Sequence, residues 1–294
     1  AYGPLWSQGG ERGLYLSEDG GETWTLNLEL DEHTGCNEIH IHPTNPDILF
    51  ATTHQRRRHV FTYISGGPGS AMYRSTNGGK SWQKVANGFP KGDLGRIGMD
   101  ISTVNTDVVY AIVEGTDKTK GIYKSTDIGS SWKKMSNKST SGNYYQEIYC
   151  DLFDENTFYV MDTYASYTTD GGKTFTKIPA KYKHVDDHCF WQDPNNKHHF
   201  IIGSDGGLYE SWDHLKATCL SLNFTRLAQI TPYPSTTFTV EHKTTLVLVD
   251  LRKHKVQQAS EILTGLLPKE GMVLRRKLTP KTRTLYILNR NMAG

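Results

Sequence analysis

The sequence predicts an all-β chain, a β-propeller of four-stranded blades, and three observations carry that prediction. A box of the form Ser/Thr-x-Asp/Asn-x-Gly-x-Thr/Ser-Trp/Phe recurs along the chain, a strand–turn–strand phrase accompanies it, and the spacing matches the length of one blade. The boxes start at Ser17 (SEDGGETW), Ser75 (STNGGKSW), Ser125 (STDIGSSW), Thr168 (TTDGGKTF) and, in degenerate form, Ser211 (SWDHLKAT). Successive starts lie 58, 50, 43 and 43 residues apart.

Each box has a local mechanism. The side-chain oxygens of Asp19, Asn77, Asp127 and Asp170 can accept backbone N–H bonds within a tight turn, and the glycine that follows supplies the positive φ such a turn needs. The Ser and Thr hydroxyls close further local bonds. Trp24, Trp82, Trp132 and Phe175 are expected to pack into the seam between sheets. An apolar run (GLYL, AMYR, GIYK, SYT) leads into each of the first four boxes, so each box is expected to turn a hairpin. Turn chemistry accounts for these acids, which are assigned to structure and not to catalysis.

The strand–turn–strand phrases are EIHIHPTNPDILFAT from Glu38, RIGMDISTVNTDVVYAI from Arg96, EIYCDLFDENTFYVM from Glu147 and HCFWQDPNNKHHFII from His188. In each, β-branched and aromatic residues flank a cluster of Asn, Asp or Pro. The predicted order is strand, turn, strand, box, strand.

Boxes of this spelling are identified as Asp-boxes, also called bacterial neuraminidase repeats. Together with QRRRHVFTYISGGPGSAMYRSTNGGKSW, KGDLGRIGMD, KHVDDHCFWQDP and SDGGLYESWD, they make residues 1–214 similar to the sortilin-like, glycosyl-hydrolase-type propellers, a group that includes xyloglucanase relatives. The resemblance implies the fold more narrowly than the activity. Relatives with this repeat include sialidases, xyloglucanases that work in a cleft between two propellers, and peptide-binding sortilin receptors. It also implies an exported protein, which would be periplasmic, secreted or at the cell surface.

Composition adds exclusions. No apolar run is long enough to span a bilayer and no amphipathic anchor stands out, so no membrane insertion is expected. The first residue is Ala1 and the chain opens partway through a blade, which suggests a lost upstream segment. Cys36, Cys150, Cys189 and Cys219 have no metal-binding spacing and are expected to be small buried residues without a disulfide.

The formal net charge of +2 conceals a split. Residues 215–294 hold 13 Lys/Arg against 4 Asp/Glu, whereas the first 214 hold 20 against 27, and glycine drops from 25 residues to 3. The tail resembles a repeat read in the wrong frame. Joining the last base of each codon to the first two of the next, with free synonymous choice, lets Leu278 to Ile287 spell D-P-E-D-P-N-I-V-Y. That is the phrase seen in frame at IHPTNPDILFA. The expected shift lies between about Asp213 and Leu222, where the fifth box also stops matching at Leu215. Residues 215–294 are thus expected to be an irregular basic tail, the alternative being a small genuine basic domain. No aromatic interleaving supports nucleic-acid binding.

Function is expected where inner strands begin and loops gather. The aligned starts are Asn37 with Glu38, Gly95 with Arg96, Gln146 with Glu147, and Asp187 with His188. Tyr144, Tyr145 and Asp186 lie just upstream, and His54 to His59, containing Arg56, Arg57 and Arg58, reads as a long loop over the same face. Gly66-Gly67-Pro68-Gly69 lacks the Lys-Ser/Thr of a phosphate loop and reads as a turn.

Two function classes stay open. One is a binding propeller that takes a glycan or peptide on its rim. The other is a glycoside hydrolase using two carboxylates, for which Glu147 and Asp186 are the candidates. Sialidase chemistry is disfavoured, because Arg96 and the Arg56–Arg58 run do not reproduce that family's Arg-Ile-Pro opening. His184, Asp186 and His188 alternate along the chain, yet such histidines are more often solvated, so neither a metal nor a cofactor is assigned. A closed propeller usually needs more blades than these, so the expected partners include further blades or a second propeller.

Overall fold

The computed structural model describes residues 1–181 and 183–213, with the backbone of 220–222, 237–242, 245–250, 272–274 and 287–289. Among the described residues every regular element is a strand. The reading of residues 215–294 as a shifted frame, the later part of the fifth box and Cys219 lie outside the described residues, apart from those backbone segments.

The strands form successive antiparallel meanders. β1 (Leu14–Leu16) and β2 (Thr25–Leu28) make a two-stranded first sheet. The second sheet comprises β3 (Thr34–Ile41), β4 (Leu49–Arg58), β5 (Tyr63–Ser65), β6 (Ala71–Ser75) and β7 (Gln83–Lys84). Its order is β3-β4-β6-β7, with β5 on the far end of β4. The third holds β8 (Ile97–Ile101), β9 (Val109–Val113), β10 (Gly121–Ser125) and β11 (Lys133–Ser136). The fourth holds β12 (Ile148–Cys150), β13 (Phe158–Val160), β14 (Ser166–Thr168) and β15 (Thr176–Lys177). The fifth holds β16 (Asp187–Asp193), β17 (Asn196–Ser204), β18 (Gly207–Ser211) and β19 (Leu220–Leu222). Two further pairs, β20 (Thr237–His242) with β21 (Thr245–Asp250) and β22 (Met272–Leu274) with β23 (Ile287–Asn289), follow.

These are the blades of a β-propeller, and the second strand of each blade shows why they stack. β9 reads VYAIV and is buried throughout. Successive side chains of a strand point to opposite faces, so Val109, Ala111 and Val113 enter the seam with Phe50, Met72 and Trp132. Tyr110 and Ile112 enter the next seam, with Phe158 and Val160. Tyr159 leaves β13 on the other side, to meet Phe190, Phe200 and Ile202. A strand buried on both faces cannot alternate apolar with polar, which is why these runs are continuously apolar.

The inner strands are tied by polar bonds. Asn37 Nδ2 donates to Ile97 O at 3.0 Å, and Glu38 Oε2 accepts from Met99 N at 3.0 Å. Asp100 Oδ2 accepts from Cys150 N at 2.8 Å, and Gln192 Oε1 accepts from Leu152 N at 2.8 Å. Each bond satisfies a backbone group that the neighbouring blade's inner strand leaves free on that edge. Cys36 and Cys150 are buried, Cys189 is half-buried, and all three are free thiols.

The boxes join the third and fourth strands of their blades. At Ser125, Ser125 Oγ donates to Asp127 Oδ1 at 2.7 Å and accepts from Gly129 N at 2.8 Å. Asp127 Oδ1 accepts from Ser131 N at 2.8 Å, and Oδ2 accepts from Ser131 Oγ at 2.6 Å. Asp19 and Asp170 repeat this pattern with Thr23 and Thr174. Trp132 is buried in its seam, while Trp82 and Phe175 are partly buried against theirs. Trp82 Nε1 donates to Asn27 Oδ1 at 2.8 Å, whereas Trp132 Nε1 and Trp24 Nε1 donate within their own turns.

Burial works against ionisation of Asp127, but hydrogen bonds from Ser131, Ser125 and two backbone N–H groups outweigh it, so its carboxyl stays below the usual range. A depressed folded pKa gives stability that is present above the unfolded value of about 3.9 and lost as pH falls through the folded one. Asp127→Ala is expected to cost about 1–2 kcal/mol at neutral pH. Asp127→Asn is expected to be milder, because Asn77 fills the same turn and donates to Ser81 Oγ at 2.8 Å. Urea melts at neutral pH and near pH 3 check both, the Ala variant's deficit shrinking in acid.

Candidate functional site

The inner-strand starts bring two neighbouring polar groups together. Arg96, just before β8, donates through Nη2 to Glu147 Oε1, just before β12, and the pair is largely buried. Gln146 holds Glu147's approach. Its backbone lies in the left-handed region at φ 82°, costly for a residue that is not glycine. Thr140 fixes it: Gln146 Oε1 accepts from Thr140 N at 2.9 Å and Thr140 Oγ1 at 2.6 Å, while Gln146 Nε2 donates to Arg96 O at 3.2 Å. A Cβ on Gly98 would come 1.7 Å from Gln146 O, so only glycine lets the two inner strands approach this closely.

A second group leads outward from Arg96. Glu114 Oε2 accepts from Arg96 N at 2.9 Å and from Ser65 Oγ at 3.2 Å, joining the third blade to β5. Ser65 Oγ lies 3.4 Å from His54 Nε2, and His54 Nδ1 lies 2.5 Å from the Tyr2 hydroxyl. The Arg56 guanidinium lies over the Tyr2 ring, 3.4 Å from its centroid. Burial, then the charges of Arg96 and Arg56, push the His54 pKa well below its ordinary value, so this imidazole is neutral. Burial raises the Tyr2 pKa against the same two cations. Three polar atoms of this end, Asn37 Oδ1, Glu38 Oε1 and Arg56 Nε, are buried without a hydrogen-bond partner.

The third group lies between the fourth and fifth blades. Tyr145 donates to Asp186 Oδ1 at 2.5 Å and stacks on His188 with ring centroids 5.2 Å apart. His188 Nε2 lies 3.0 Å from Asp205 Oδ1. Burial and the bond to Asp186 push the Tyr145 hydroxyl up to about 12, so it remains a donor. Tyr144 is exposed beside Tyr145, ring centroids 6.3 Å apart.

Several expectations change in three dimensions. The segment 54–59 is no loop as far as Arg58: β4 continues to Arg58, and Arg56, Arg57 and Arg58 pair with Ser65, Ile64 and Tyr63. The strand persists because β5 supplies its ladder. Asp187 does not face the rim. It is fully buried, with both carboxylate oxygens 2.6 Å from Lys183 Nζ and Oδ2 accepting from Ala165 N at 3.2 Å. Asp186 lies just before β16 in left-handed backbone at φ 64°, and the two adjacent carboxylates take different partners, Tyr145 for Asp186 and Lys183 for Asp187. His184, Asp186 and His188 do not converge either. His184 Nδ1 lies 2.5 Å from Val185 O, Asp186 takes Tyr145 and His188 takes Asp205. Arg57 reaches Gln8 Oε1 at 3.2 Å and His33 Nδ1 at 2.9 Å, Arg58 lies 5.2 Å from the Tyr63 centroid, and His59 stacks on Phe61 at 5.8 Å.

Tyr2, His54, Ser65, Glu114 and Lys183 are absent from the rim read off the sequence. His54, Ser65 and Lys183 stood in quoted segments, and Lys183 meets Asp187 only four residues on, whereas Tyr2 meets His54 and Glu114 meets Ser65 across about fifty residues of chain.

The sequence profile of the family described as "Sortilin, neurotensin receptor 3" matches residues 12–140 and 70–226. No curated protein matches the sequence. Among solved structures, an ancestral GH74 enzyme aligns with TM-score 0.52 and 20% identity over 72% of this chain and 29% of its own. The Niastella koreensis GH74 enzyme aligns with TM-score 0.43 and 20% identity, over 62% of this chain and 29% of its own. YCF48 bound to D1 peptide aligns with TM-score 0.45 and 11% identity, over 75% of this chain and 62% of its own. The first of these is a likeness of fold, and the chain spans 29% of that enzyme's length. With the profile matched across the blades that carry the boxes and the rim, the chain belongs to the Sortilin-Vps10 family.

Proposed function

We propose that the protein is an exported binding propeller that holds a peptide or glycan, without cleaving it, where its inner strands begin. One observation carries this reading: both candidate carboxylates are already turned onto protein donors. Glu147 Oε1 faces the Arg96 guanidinium, and Asp186 Oδ1 accepts the Tyr145 hydroxyl. A glycoside hydrolase needs one carboxyl to deliver a proton to the leaving oxygen and a second to attack or activate water across the sugar. Groups committed to rigid neighbours suit recognition better. The Arg56 guanidinium on Tyr2, with Nε unpartnered, offers a ligand charge and a flat face together. The family's description as a neurotensin receptor supports a peptide as one occupant.

The test compares neurotensin and xyloglucan as probes of the full chain, with binding followed by calorimetry and cleavage by reducing-end release. The expected result is saturable binding of at least one probe, weakened about tenfold or more by Arg56→Ala, with no reducing ends released. Release of reducing ends by the native protein, abolished in Glu147→Gln or Asp186→Asn with binding retained, would establish the hydrolase instead.

A further inference from the structure

The end of β4 pairs with β5 as a two-stranded ribbon whose tip and collar differ in chemistry. At the tip Val60 is 97% exposed and Phe61 86%, with Ile64 42% exposed on β5. Trp6 is 57% exposed and lies beside the collar, its ring centroid 6.0 Å from Arg58 Cζ. The corresponding β9–β10 connection, EGTDKTK, is polar. Behind the apolar tip stand Arg56, Arg57 and Arg58, and among the described residues none forms an ion pair with a carboxylate. Glu32 is held by His33, which Arg57 also reaches, at 3.5 Å and 2.9 Å respectively.

We infer that this ribbon docks the propeller on an anionic lipid surface, its tip entering the headgroup boundary and Arg57 and Arg58 meeting lipid phosphates. Exposed apolar side chains clustered at an apex mark an interaction site, and Arg57 and Arg58, which among the described residues have no carboxylate partner, call for an anionic occupant, Arg56 being turned onto Tyr2. Area decides between a bilayer and a protein. An aromatic side chain offers on the order of 150–250 Å², so this tip falls short of the ~800 Å² that one partner contributes to a standard protein interface. A fluid surface covers such a tip whatever its shape. Trp at the boundary and Arg just behind it match the chemistry of the headgroup layer, where each basic residue near an anionic surface adds on the order of 1 kcal/mol. The contact is peripheral: among the described residues no helix is long and apolar enough to cross a membrane.

The test is flotation of the full chain with phosphatidylcholine vesicles, with and without phosphatidylglycerol. Binding is expected to the anionic vesicles, to weaken with added salt, and to fall about tenfold or more in the Val60→Ser/Phe61→Ser double variant. That variant's melting temperature should match the native protein, since both side chains are exposed. No binding to anionic vesicles, or equal binding by the double variant, overturns the inference. So does a native dimer in light scattering that the double variant abolishes, because the occupant of the tip would then be a second copy.

Discussion

Lys183→Ala is expected to destabilise the protein by about 3–5 kcal/mol, because it strands a buried carboxylate. Lys183 and Asp187 are both essentially inaccessible, and the ammonium lies 2.6 Å from each carboxylate oxygen. The pair also joins blades, since Asp187 Oδ2 accepts from Ala165 N while Asp187 N donates to Asp162 O at 3.0 Å. Burial raises the Asp187 pKa and the Lys183 ammonium opposes that rise. Removing the lysine lets the folded-state pKa climb further above the unfolded value of about 3.9. A raised carboxyl contributes stability below its unfolded pKa and loses it as pH rises through the folded one. The variant's deficit against the native protein should therefore be widest at neutral pH and narrow toward pH 4, as read by urea melts. Lys183→Met with Asp187→Leu, which removes both charges, should recover most of the loss.

Phe158→Ala is the second large effect, expected at about 3–5 kcal/mol, or roughly 6–20 °C in melting temperature. Phe158 is fully buried in the seam between the third and fourth blades, with ring centroids 4.5 Å from Tyr110 and 5.9 Å from Phe175. The ring also lies against Gly172, where an added Cβ would stand 3.0 Å from Phe158 Cζ. Little can collapse into the space left, since β9 and β13 are pinned in their own ladders. Phe153→Ala, at an exposed position on the preceding corner, should change stability by no more than about 0.5 kcal/mol. Thermal melts of the two variants side by side check the seam and not merely the loss of a ring.

The blades were legible because their chemistry is local. Ser17 reaches Asp19 and Gly21, and Asp19 reaches Thr23, all within a few residues, so the turn is written in consecutive letters. β9 and β13 were likewise legible as strands from their β-branched and aromatic letters, whereas their burial on both faces came only with the structure. The site was legible only in part. Arg96 and Glu147 were flagged separately as inner-strand starts, but their pairing across 51 residues depends on how two blades sit. Tyr2 meets His54 across 52 residues, and Glu114 meets Ser65 across 49. Asp187 failed for a simpler reason. It opens β16 and is buried against Lys183, whereas Asp186 just before it takes left-handed backbone at φ 64°, a change of direction that an alternation pattern does not foretell.

The central claim is that ligand sits where Arg56, Arg96 and Glu147 gather, and backbone hydrogen exchange of the full chain with saturating neurotensin or xyloglucan tests it most directly. Slowed exchange is predicted at 33–38, 54–58, 94–98 and 144–148, with the probe recovered intact. Protection confined to the box turns at 75–82, 125–132 and 168–175, or recovery of the probe in shortened form, would contradict the account.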